Sequence, residues 1–390
     1  MDHKQLLSKL IEIKSFSGEE TNIRSFIAGW YAERGIDSLI QGDNLIVHFE
    51  GLDRSKAFIF NSHMDTVSPG DKPWRSDPWI ALKKDNKLIG LGASDMKSGL
   101  AASMLLAEKL NNLGKPPVDM WFTYVVKEEE DGSGTDSFIN WFVKKGYTRK
   151  YQDLAAIFTE PTDLKEVEHG HRGNYFILAK AEGPSGHASR PHELKGVTAV
   201  RTMINFADSL QESIVEWDKE FPSKFFRPAI TVGEMTSIIA NARGVVEKDK
   251  NGAKKVVIKP DSPNKFADTC RATFDVRTTP ESHKFIYKRV NALGKKLGIK
   301  ISLLYPAAPA GFTDPSEKIV QIAKSTMGKR KLTVSLGSAD LGFVAQKNIK
   351  AVILGPGQKR QCHKGNEYCF PEQIPQAVEV YQAIVEAWAK

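Results

Sequence analysis

Phe60-Asn-Ser-His63-Met-Asp65-Thr-Val67 decides the fold, because it joins the end of an apolar strand to two polar side chains. The preceding run Ala57-Phe-Ile-Phe60 is rich in strand-forming residues, so it predicts a strand that delivers His63 and Asp65 just past its carboxyl end. That edge of an open α/β sheet faces the ligand crevice. A continuing strand would point both side chains to one face, where the Asp65 carboxylate could orient a metal-bound His63. Taken alone, the motif fits a surface loop with an incidental His and Asp better.

Acidic residues lie at the ends of three further predicted elements. Asp95 precedes 96–110, whose helical periodicity makes Asp95 either a helix N-cap or a metal ligand. A buried-strand candidate at 120–126 runs into the acids Glu128 to Asp131, and the apolar run 154–159 ends at Glu160. Consecutive acids are costly unless they are solvated or paired with cations, so a solvated turn that caps the next helix is the alternative. Recurrence of ligand-type residues at equivalent strand ends favours a metal site.

The chain changes character near residue 176. At 390 residues it exceeds the size at which a single core keeps growing, so two domains are expected. A strand at 175–181, a Gly- and Ser-rich turn and a long helix at 198–217 are followed by alternating strands and a helix up to 305, as in a small α+β layer. We therefore predict an inserted domain at 176–306 within a domain formed by 1–175 and 307–390.

Composition excludes several classes of protein. The net charge is +8, but the basic residues are scattered, the densest runs at 248–255 and 329–331 are typical of solvated loops, and no nucleic-acid-binding signature accompanies them. The charge instead favours an anionic small substrate. No apolar run has the length of a signal peptide or membrane span, and the three cysteines form no CxxC pair. We expect a cytoplasmic protein with no nucleic-acid or membrane partner.

Six short motifs, taken in order, resemble one enzyme family. They are His63-Met-Asp65, Asp95-Met-Lys97, Glu129-Glu130, Thr159-Glu-Pro-Thr162, Gly186-His187-Ala-Ser189 and His363-Lys-Gly-Asn-Glu367. The series resembles the dinuclear zinc amidohydrolases that include succinyl-diaminopimelate desuccinylase, acetylornithine deacetylase, aminoacylase and carboxypeptidase G. The resemblance implies an α/β catalytic domain, with a mostly parallel sheet flanked by helices, and an inserted α+β lid domain that makes a homodimer. It also implies two zinc ions per subunit, although cobalt or manganese would fit the same ligand types.

The resemblance also implies a role for each motif residue. One zinc would be held by His63 and Glu160, the other by Glu130 and His363, with Asp95 bridging the two. Glu129 matches the family's general base, and Glu128 takes the place of a less specific acid. His187 matches a lid histidine that stabilises the oxyanion in the partner's active site, although without the resemblance a turn histidine is the better interpretation.

Substrate-binding residues are implied by a second set of matches. Asn264 begins a stretch similar to the family's Asn-x-x-x-Asp-x-Cys, and Arg277 ends the Asp-x-Arg that follows it. Arg277 and Arg172 are candidates for binding substrate carboxylates, since a guanidinium binds them bidentately. A structural ion pair remains the alternative for each arginine.

Three local features are similar to the desuccinylases: Asp95-Met-Lys-Ser-Gly99, Arg172-Gly173 and His363-Lys-Gly-Asn-Glu367. They imply hydrolysis of N-succinyl-LL-2,6-diaminopimelate to succinate and LL-2,6-diaminopimelate in lysine biosynthesis. Gly337-Ser-Ala-Asp-Leu-Gly342 departs from the desuccinylases' Gly-Thr-Ser-Asp-x-Arg, so a substrate-binding arginine and hydroxyl are missing or moved. A basic insertion near 248–259 departs as well. Acetylornithine deacetylase, another N-acyl-amino-acid deacylase, a dipeptidase and a non-enzymatic basic binding protein remain alternatives.

Overall fold

The chain forms two compact units in a computed structural model that describes residues 1–70, 73–248, 254–260, 262–328 and 330–390. Unit 1 consists of Met1–His171 and Ala308–Lys390, and unit 2 consists of Arg172–Ala307. These divisions lie within four residues of the domain boundaries predicted at 175/176 and 306/307. Of the two predicted basic loops, residues 249–253 and 329 lie outside the described residues.

The helices and strands of the described residues alternate along much of the chain. In chain order the helices are α1 (His3–Glu12), α2 (Thr21–Ala32), α3 (Lys97–Leu113), α4 (Ser133–Lys144), α5 (Tyr147–Lys150), α6 (Ala199–Glu220), α7 (His283–Lys296), α8 (Lys318–Thr326), α9 (Leu341–Ala345) and α10 (Gln373–Ala389). The strands are β1 (Ser38–Gln41), β2 (Asn44–Phe49), β3 (Asp53–His63), β4 (Leu82–Lys84), β5 (Lys87–Ile89), β6 (Val118–Val125), β7 (Asp153–Phe158), β8 (Glu166–His171), β9 (Gly173–Glu182), β10 (Thr231–Ala240), β11 (Ala242–Lys248), β12 (Lys254–Pro260), β13 (Thr269–Thr278), β14 (Ile299–Leu303), β15 (Gly311–Phe312), β16 (Lys331–Ser335), β17 (Lys350–Ile353) and β18 (Tyr368–Cys369).

The main sheet of unit 1 has the order β1-β2-β6-β3-β7-β17-β8-β15, with β16 paired to β8. Its central pairs β6–β3, β3–β7 and β7–β17 are parallel, whereas β1 and β2 at one side and β15 at the other pair antiparallel. This confirms the α/β class with a largely parallel sheet. Because parallel strands end at the same edge, the residues after β3, β6 and β7 emerge side by side.

Both faces of the central strands are buried, which explains their continuous apolar runs. Phe60 on β3 is fully buried and stacks on Phe122 of β6, with ring centroids 5.4 Å apart, and its ring also lies 5.1 Å from that of Tyr381 on α10. On the opposite face Trp121 packs edge-on against Phe142 of α4. Burial of each such aromatic side chain contributes about 1.5–3 kcal/mol, so the strand ends that carry the polar residues are held firmly.

A small three-stranded sheet, β18-β5-β4, joins the C-terminal part of unit 1 to the segment before α3. Strands β4 and β5 form a hairpin around Asp85-Asn86, whose φ angles of 49° and 59° are those of a two-residue turn that matches the strand twist. Tyr368 of β18 pairs with Ile89 of β5. The residue before Tyr368, Glu367, is thereby brought beside the chain that leads to Asp95.

Unit 2 is an α+β layer, as the sequence predicts. Its antiparallel sheet has the order β10-β13-β9-β14, and β11 pairs with β12 as a separate ribbon. The core forms where buried residues such as Ile177 and Phe274 of the sheet meet Phe206 of α6 and Ile286 of α7. Within the described residues of both units, no helix combines the length and the apolar composition that crossing a bilayer requires.

Candidate metal centre

Five potential metal ligands converge in unit 1. His63 is the last residue of β3, Glu129 lies in the turn after β6, and Glu160 follows β7, so neighbouring parallel strands deliver all three at one sheet edge. Asp95 lies just before α3, and His363 follows the short 3-10 turn Lys359–Gln361. The fold thus brings together, at one edge of the main sheet, five residues that are spread over 300 positions of the sequence.

The five side chains form two groups that share Asp95. In the first, His63 Nε2 lies 3.4 Å from Asp95 Oδ1 and 3.6 Å from Glu160 Oε1. In the second, His363 Nε2 lies 2.9 Å from Glu129 Oε2 and 3.5 Å from Asp95 Oδ2. The ligand atoms of each group lie within 4.8 Å of one another. Because the two oxygens of Asp95 face different histidines, Asp95 has the geometry of a bridging carboxylate.

Asp95 is not the N-cap of α3, which was the alternative role left open by its sequence. Met96 occupies the N-cap position, and no capping hydrogen bond from a side chain is present there among the described residues. The loop is held instead by Glu367, whose carboxylate accepts the backbone N–H groups of Gly92 (3.0 Å), Ser94 (2.7 Å) and Asp95 (2.9 Å). Burial raises the pKa of Glu367 to about 8. Its spacing of four from His363 was visible in the sequence, but this contact with the Asp95 loop was not.

Asp65 connects His63 to the acidic turn. The ring Nδ1 of His63 lies 3.0 Å from the backbone carbonyl oxygen of Asp65 and 3.4 Å from the side-chain Oδ1 of the same residue. The same carboxylate accepts the backbone N–H groups of Glu128 and Glu129, each at 3.1 Å, and the Ser17 hydroxyl at 2.7 Å. Asp65 therefore fixes both a histidine ring and the turn that carries Glu129.

The acidic turn is shifted by one residue from the predicted assignment. Glu129, rather than Glu130, lies with Asp95 and His363, whereas Glu130 is exposed. Glu128 lines the adjoining cavity without belonging to either donor group. The physical reason is local: Lys127 has a positive φ of 57°, and its carbonyl accepts the N–H groups of Asp131 (3.1 Å) and Gly132 (2.7 Å). The chain thus turns directly after β6, and the Asp65 contacts turn Glu128 and Glu129 inward.

The electrostatics of the groups fit divalent cations. Burial, reinforced by the charge of Asp95, raises the pKa of Glu129 and raises that of Glu160 well above its ordinary value. For Asp95, burial opposes ionisation, but the hydrogen bond and charge of His63 and the charge of His363 outweigh it and lower the pKa. Glu129 Oε1 is buried without a hydrogen-bond partner among the described residues. Nitrogen and oxygen donors of this kind suit zinc, cobalt or manganese, whose charge would offset the crowded carboxylates.

A cavity of about 220 Å³ opens beside these groups. The donor side of its lining includes Asp95, Glu129, Glu160 and His363, with Glu128 next to them. The remaining wall is made of residues that carry no predicted role, including Glu168, Ser335, Ser338 and Lys359. The arrangement provides a place for a small molecule against the donors, with the Glu128 carboxylate next to them.

The predicted substrate residues lie in unit 2. His187 is exposed, and its Nδ1 lies 2.7 Å from the Ser189 hydroxyl. Asn264 lies beside this turn, because its carbonyl accepts the N–H of Ala188 at 2.7 Å. Arg277 donates two hydrogen bonds to Asp275, at 2.7 and 3.0 Å, which is the ion-pair alternative left open by the sequence.

Arg172 is the most buried of the predicted substrate residues. It is 3% exposed and donates from Nη2 to the carbonyl of Pro228. The roles of His187, Asn264, Arg172 and Arg277 toward a substrate stay predictions.

Comparison with known proteins gives consistent results. The model of the family described as Peptidase family M20/M25/M40 matches residues 59–387. An acetylornithine deacetylase from Klebsiella pneumoniae (strain 342) is 25% identical over 382 residues, covering 93% of this chain and 89% of that protein. Among solved structures, an M20 metallo-carboxypeptidase from Sulfolobus solfataricus matches with a TM-score of 0.73 at 15% identity, covering 100% of both chains. A dinuclear metal-binding M20 peptidase from Bacillus subtilis matches with a TM-score of 0.67 at 13% identity, covering 98% of this chain and 96% of the other.

Proposed function

Because this chain belongs to peptidase family M20/M25/M40 and is a metal-dependent amidohydrolase, we propose that it hydrolyses the amide bond of small N-acyl amino acids with two divalent cations. One observation carries the proposal. Asp95 offers one oxygen to the group with His63 and the other to the group with His363, beside a cavity lined by Glu128. Such a shared carboxylate suits a pair of ions that act together on one substrate.

The metal assignment is revised at one position. His63 and Glu160 would hold one ion, Glu129 and His363 the other, and Asp95 both. Bound there, the ions supply Lewis-acid polarisation of the amide carbonyl and lower the pKa of a water molecule. Zinc is the first candidate, and cobalt and manganese suit the same donors. Asp65 orients His63 and the turn of Glu129, and Glu367 orients Asp95, so both are positioning residues.

Glu128 is the residue that we assign as general base. It lies beside Glu129 in the cavity lining, and its carboxylate belongs to neither donor group. A carboxylate in that position can accept the proton of the attacking water and deliver it to the leaving amine. The sequence assignment of this role to Glu129 is replaced, because Glu129 faces His363 at 2.9 Å.

The acyl group is proposed from the relatives and the sequence together. Similarity to an acetylornithine deacetylase favours an N-acetyl amino acid, with N-acetylornithine as the first candidate. The desuccinylase-like motifs keep N-succinyl-LL-2,6-diaminopimelate as the second candidate, and the altered Gly337-Ser-Ala-Asp-Leu-Gly342 stretch weighs against it. As the resemblance implies, unit 2 would supply the lid and the homodimer contact. Its substrate-binding residues would be His187, Asn264, Arg172 and Arg277.

A hydrolysis panel tests the proposal. Protein stripped of metal and reloaded with zinc, cobalt or manganese is assayed on N-acetylornithine, N-succinyl-diaminopimelate and simple dipeptides by release of free amine. We expect metal-dependent turnover of at least one N-acyl amino acid, and none after chelation. Turnover that persists in metal-free protein, or restriction to dipeptides, would contradict the proposed deacylase function.

A further inference from the structure

The cavity wall facing the metal donors carries an ammonium group that the proposed hydrolysis does not use. Lys359 contributes to the same cavity as Asp95 and Glu129. Its Nζ forms an ion pair with Glu168 and donates to the Ser335 hydroxyl at 3.3 Å. An ammonium has three N–H donors, so one of them has no partner among the described residues.

A buried hydroxyl lies in the same wall. Ser338 Oγ has no hydrogen-bond partner among the described residues, although the atom is buried. A buried polar atom without a partner costs about 1–3 kcal/mol, which is why folded proteins rarely leave one. Because Ser338 lines the cavity, a group brought by a bound molecule can supply the missing partner.

The two members of the ion pair differ in their exposure. The Glu168 side chain is 3% exposed, whereas that of Lys359 is 42% exposed. The carboxylate is therefore enclosed by the protein, and the ammonium is the charge that a molecule in the cavity can reach. An ammonium donor and a hydroxyl that line the same cavity match a carboxylate, which can accept from both and gains a charge-assisted hydrogen bond.

Resting on the proposed amide hydrolysis, we propose that Lys359 and Ser338 bind a carboxylate that the substrate carries in addition to its α-carboxylate. This carboxylate would end either a dicarboxylic acyl group or an acidic side chain, and both have the chemistry that the pair recognises. Ile353 and Ala339 lie in the same cavity lining and would contact the methylene groups that lead to it.

Two isosteric substrate pairs test the subsite. An N-succinyl amino acid is compared with its N-succinamoyl analogue, and N-acetylglutamate with N-acetylglutamine, by kcat/KM on the metal-loaded enzyme. We expect the charged member of one pair to be preferred about tenfold or more, and the pair that shows it identifies the source of the carboxylate. Absence of a charge preference in both pairs would overturn the proposal.

Variants separate recognition from a structural role. Lys359→Met should abolish the preference by lowering kcat/KM for the charged member alone, and Ser338→Ala should reduce it. Glu168→Gln should increase the preference, since a neutral amide no longer offsets the ammonium. If the ion pair only stabilises the fold, Lys359→Met and Glu168→Gln will impair both members equally, and the proposal is wrong. Lys165→Met, a matched loss of one exposed charge outside this cavity lining, should leave the preference unchanged.

The subsite remains testable if the proposed function fails. When no member of either pair is hydrolysed by the metal-loaded protein, the amidohydrolase substrate assignment is wrong, and binding is measured instead. Titration calorimetry with succinate and its neutral isostere succinamide should then show tighter binding of succinate, weakened about tenfold by Lys359→Met. Equal binding of the two compounds, or succinate binding that Lys359→Met leaves unchanged, overturns the inference.

Discussion

Three neighbouring glutamates should give three different phenotypes when each is replaced by glutamine. The substitutions keep the side-chain shape and remove one negative charge, so they separate charge from packing. Glu128→Gln removes the proposed proton acceptor and should lower kcat by about 10²–10⁴ while both metal ions stay bound. Glu130→Gln changes an exposed residue and should leave kcat and metal content within about twofold of the parent.

Glu129→Gln should act through metal binding. Its carboxylate lies 2.9 Å from His363 Nε2 and is 7% exposed, so its charge contributes to one ion site in a largely water-excluded position. The loss of one charge-assisted contact of about 1.5–3 kcal/mol corresponds to a roughly 10–100-fold weaker affinity for one of the two ions. Activity should therefore fall at limiting metal and recover partly when metal is in excess.

The assay combines metal content by mass spectrometry with kcat measured across a metal titration. Rescue by metal is the discriminating readout, since the loss of a general base cannot be restored by more zinc. If Glu130→Gln loses one ion while Glu129→Gln keeps both and loses kcat, the original sequence assignment is right and the shift of one residue is wrong. If Glu128→Gln retains near-normal kcat, Glu128 is not the base.

Three further outcomes follow from the structure. Glu367→Gln should lower the free energy of unfolding by about 1–3 kcal/mol, because backbone N–H groups of the Asp95 loop lose a carboxylate acceptor. The same substitution should weaken metal binding. A change in urea unfolding with unaltered metal affinity would contradict the positioning role. Burial lowers the pKa of His283 from 6.5 to about 4. As the pH falls, the unfolded chain therefore protonates His283 before the folded protein does, and the free energy of unfolding decreases between pH 6.5 and 4, by about 2 kcal/mol at pH 5. His283→Gln should make the free energy of unfolding in urea less dependent on pH. Equal pH dependence in the variant and the parent would refute the assignment. Chelation should lower the unfolding temperature, since each ion at 100 times its Kd stabilises the folded state by about 2.7 kcal/mol. An unchanged temperature would argue against native ions at these donors.

The central fold was predictable because its strands are buried on both faces. The strands β3, β6 and β7 appear in the sequence as uninterrupted apolar runs, and the parallel arrangement then places His63 and Glu160 at one edge. Strand β8 was not predicted, because Glu166-Val-Glu-His-Gly-His171 contains only one strongly apolar residue. Its polar side chains are buried by specific partners, such as Lys359 for Glu168, which a local pattern cannot reveal.

The sequence predicts the types of residue in the candidate site, but it does not predict which glutamate of the acidic run lies among the donors. Within a run of four acids, hydrophobic periodicity gives no reason to choose Glu129 over Glu130 as the ligand. The choice depends on the positive φ of Lys127 and on the Asp65 carboxylate more than sixty residues earlier. The role of Glu367 depends in the same way on β18 pairing with β5, a contact between segments 280 residues apart.

The strand order has a consequence for how the nascent chain folds on the ribosome. Every ladder partner of β8 within the described residues, namely β15, β16 and β17, comes from the segment after residue 307. At about 5–20 residues per second, synthesis of unit 2 takes on the order of ten seconds. During that time the edges of β7 and β8 that pair with these later strands remain unpaired. Within the part of the chain that the structure describes, the strands of unit 2 pair only with one another, so unit 2 can fold during that interval. During translation the incomplete main sheet of unit 1 is thus the part of the chain most exposed to wrong strand pairing. A chaperone that covers strand edges would have its largest effect before the last eighty residues emerge from the ribosome.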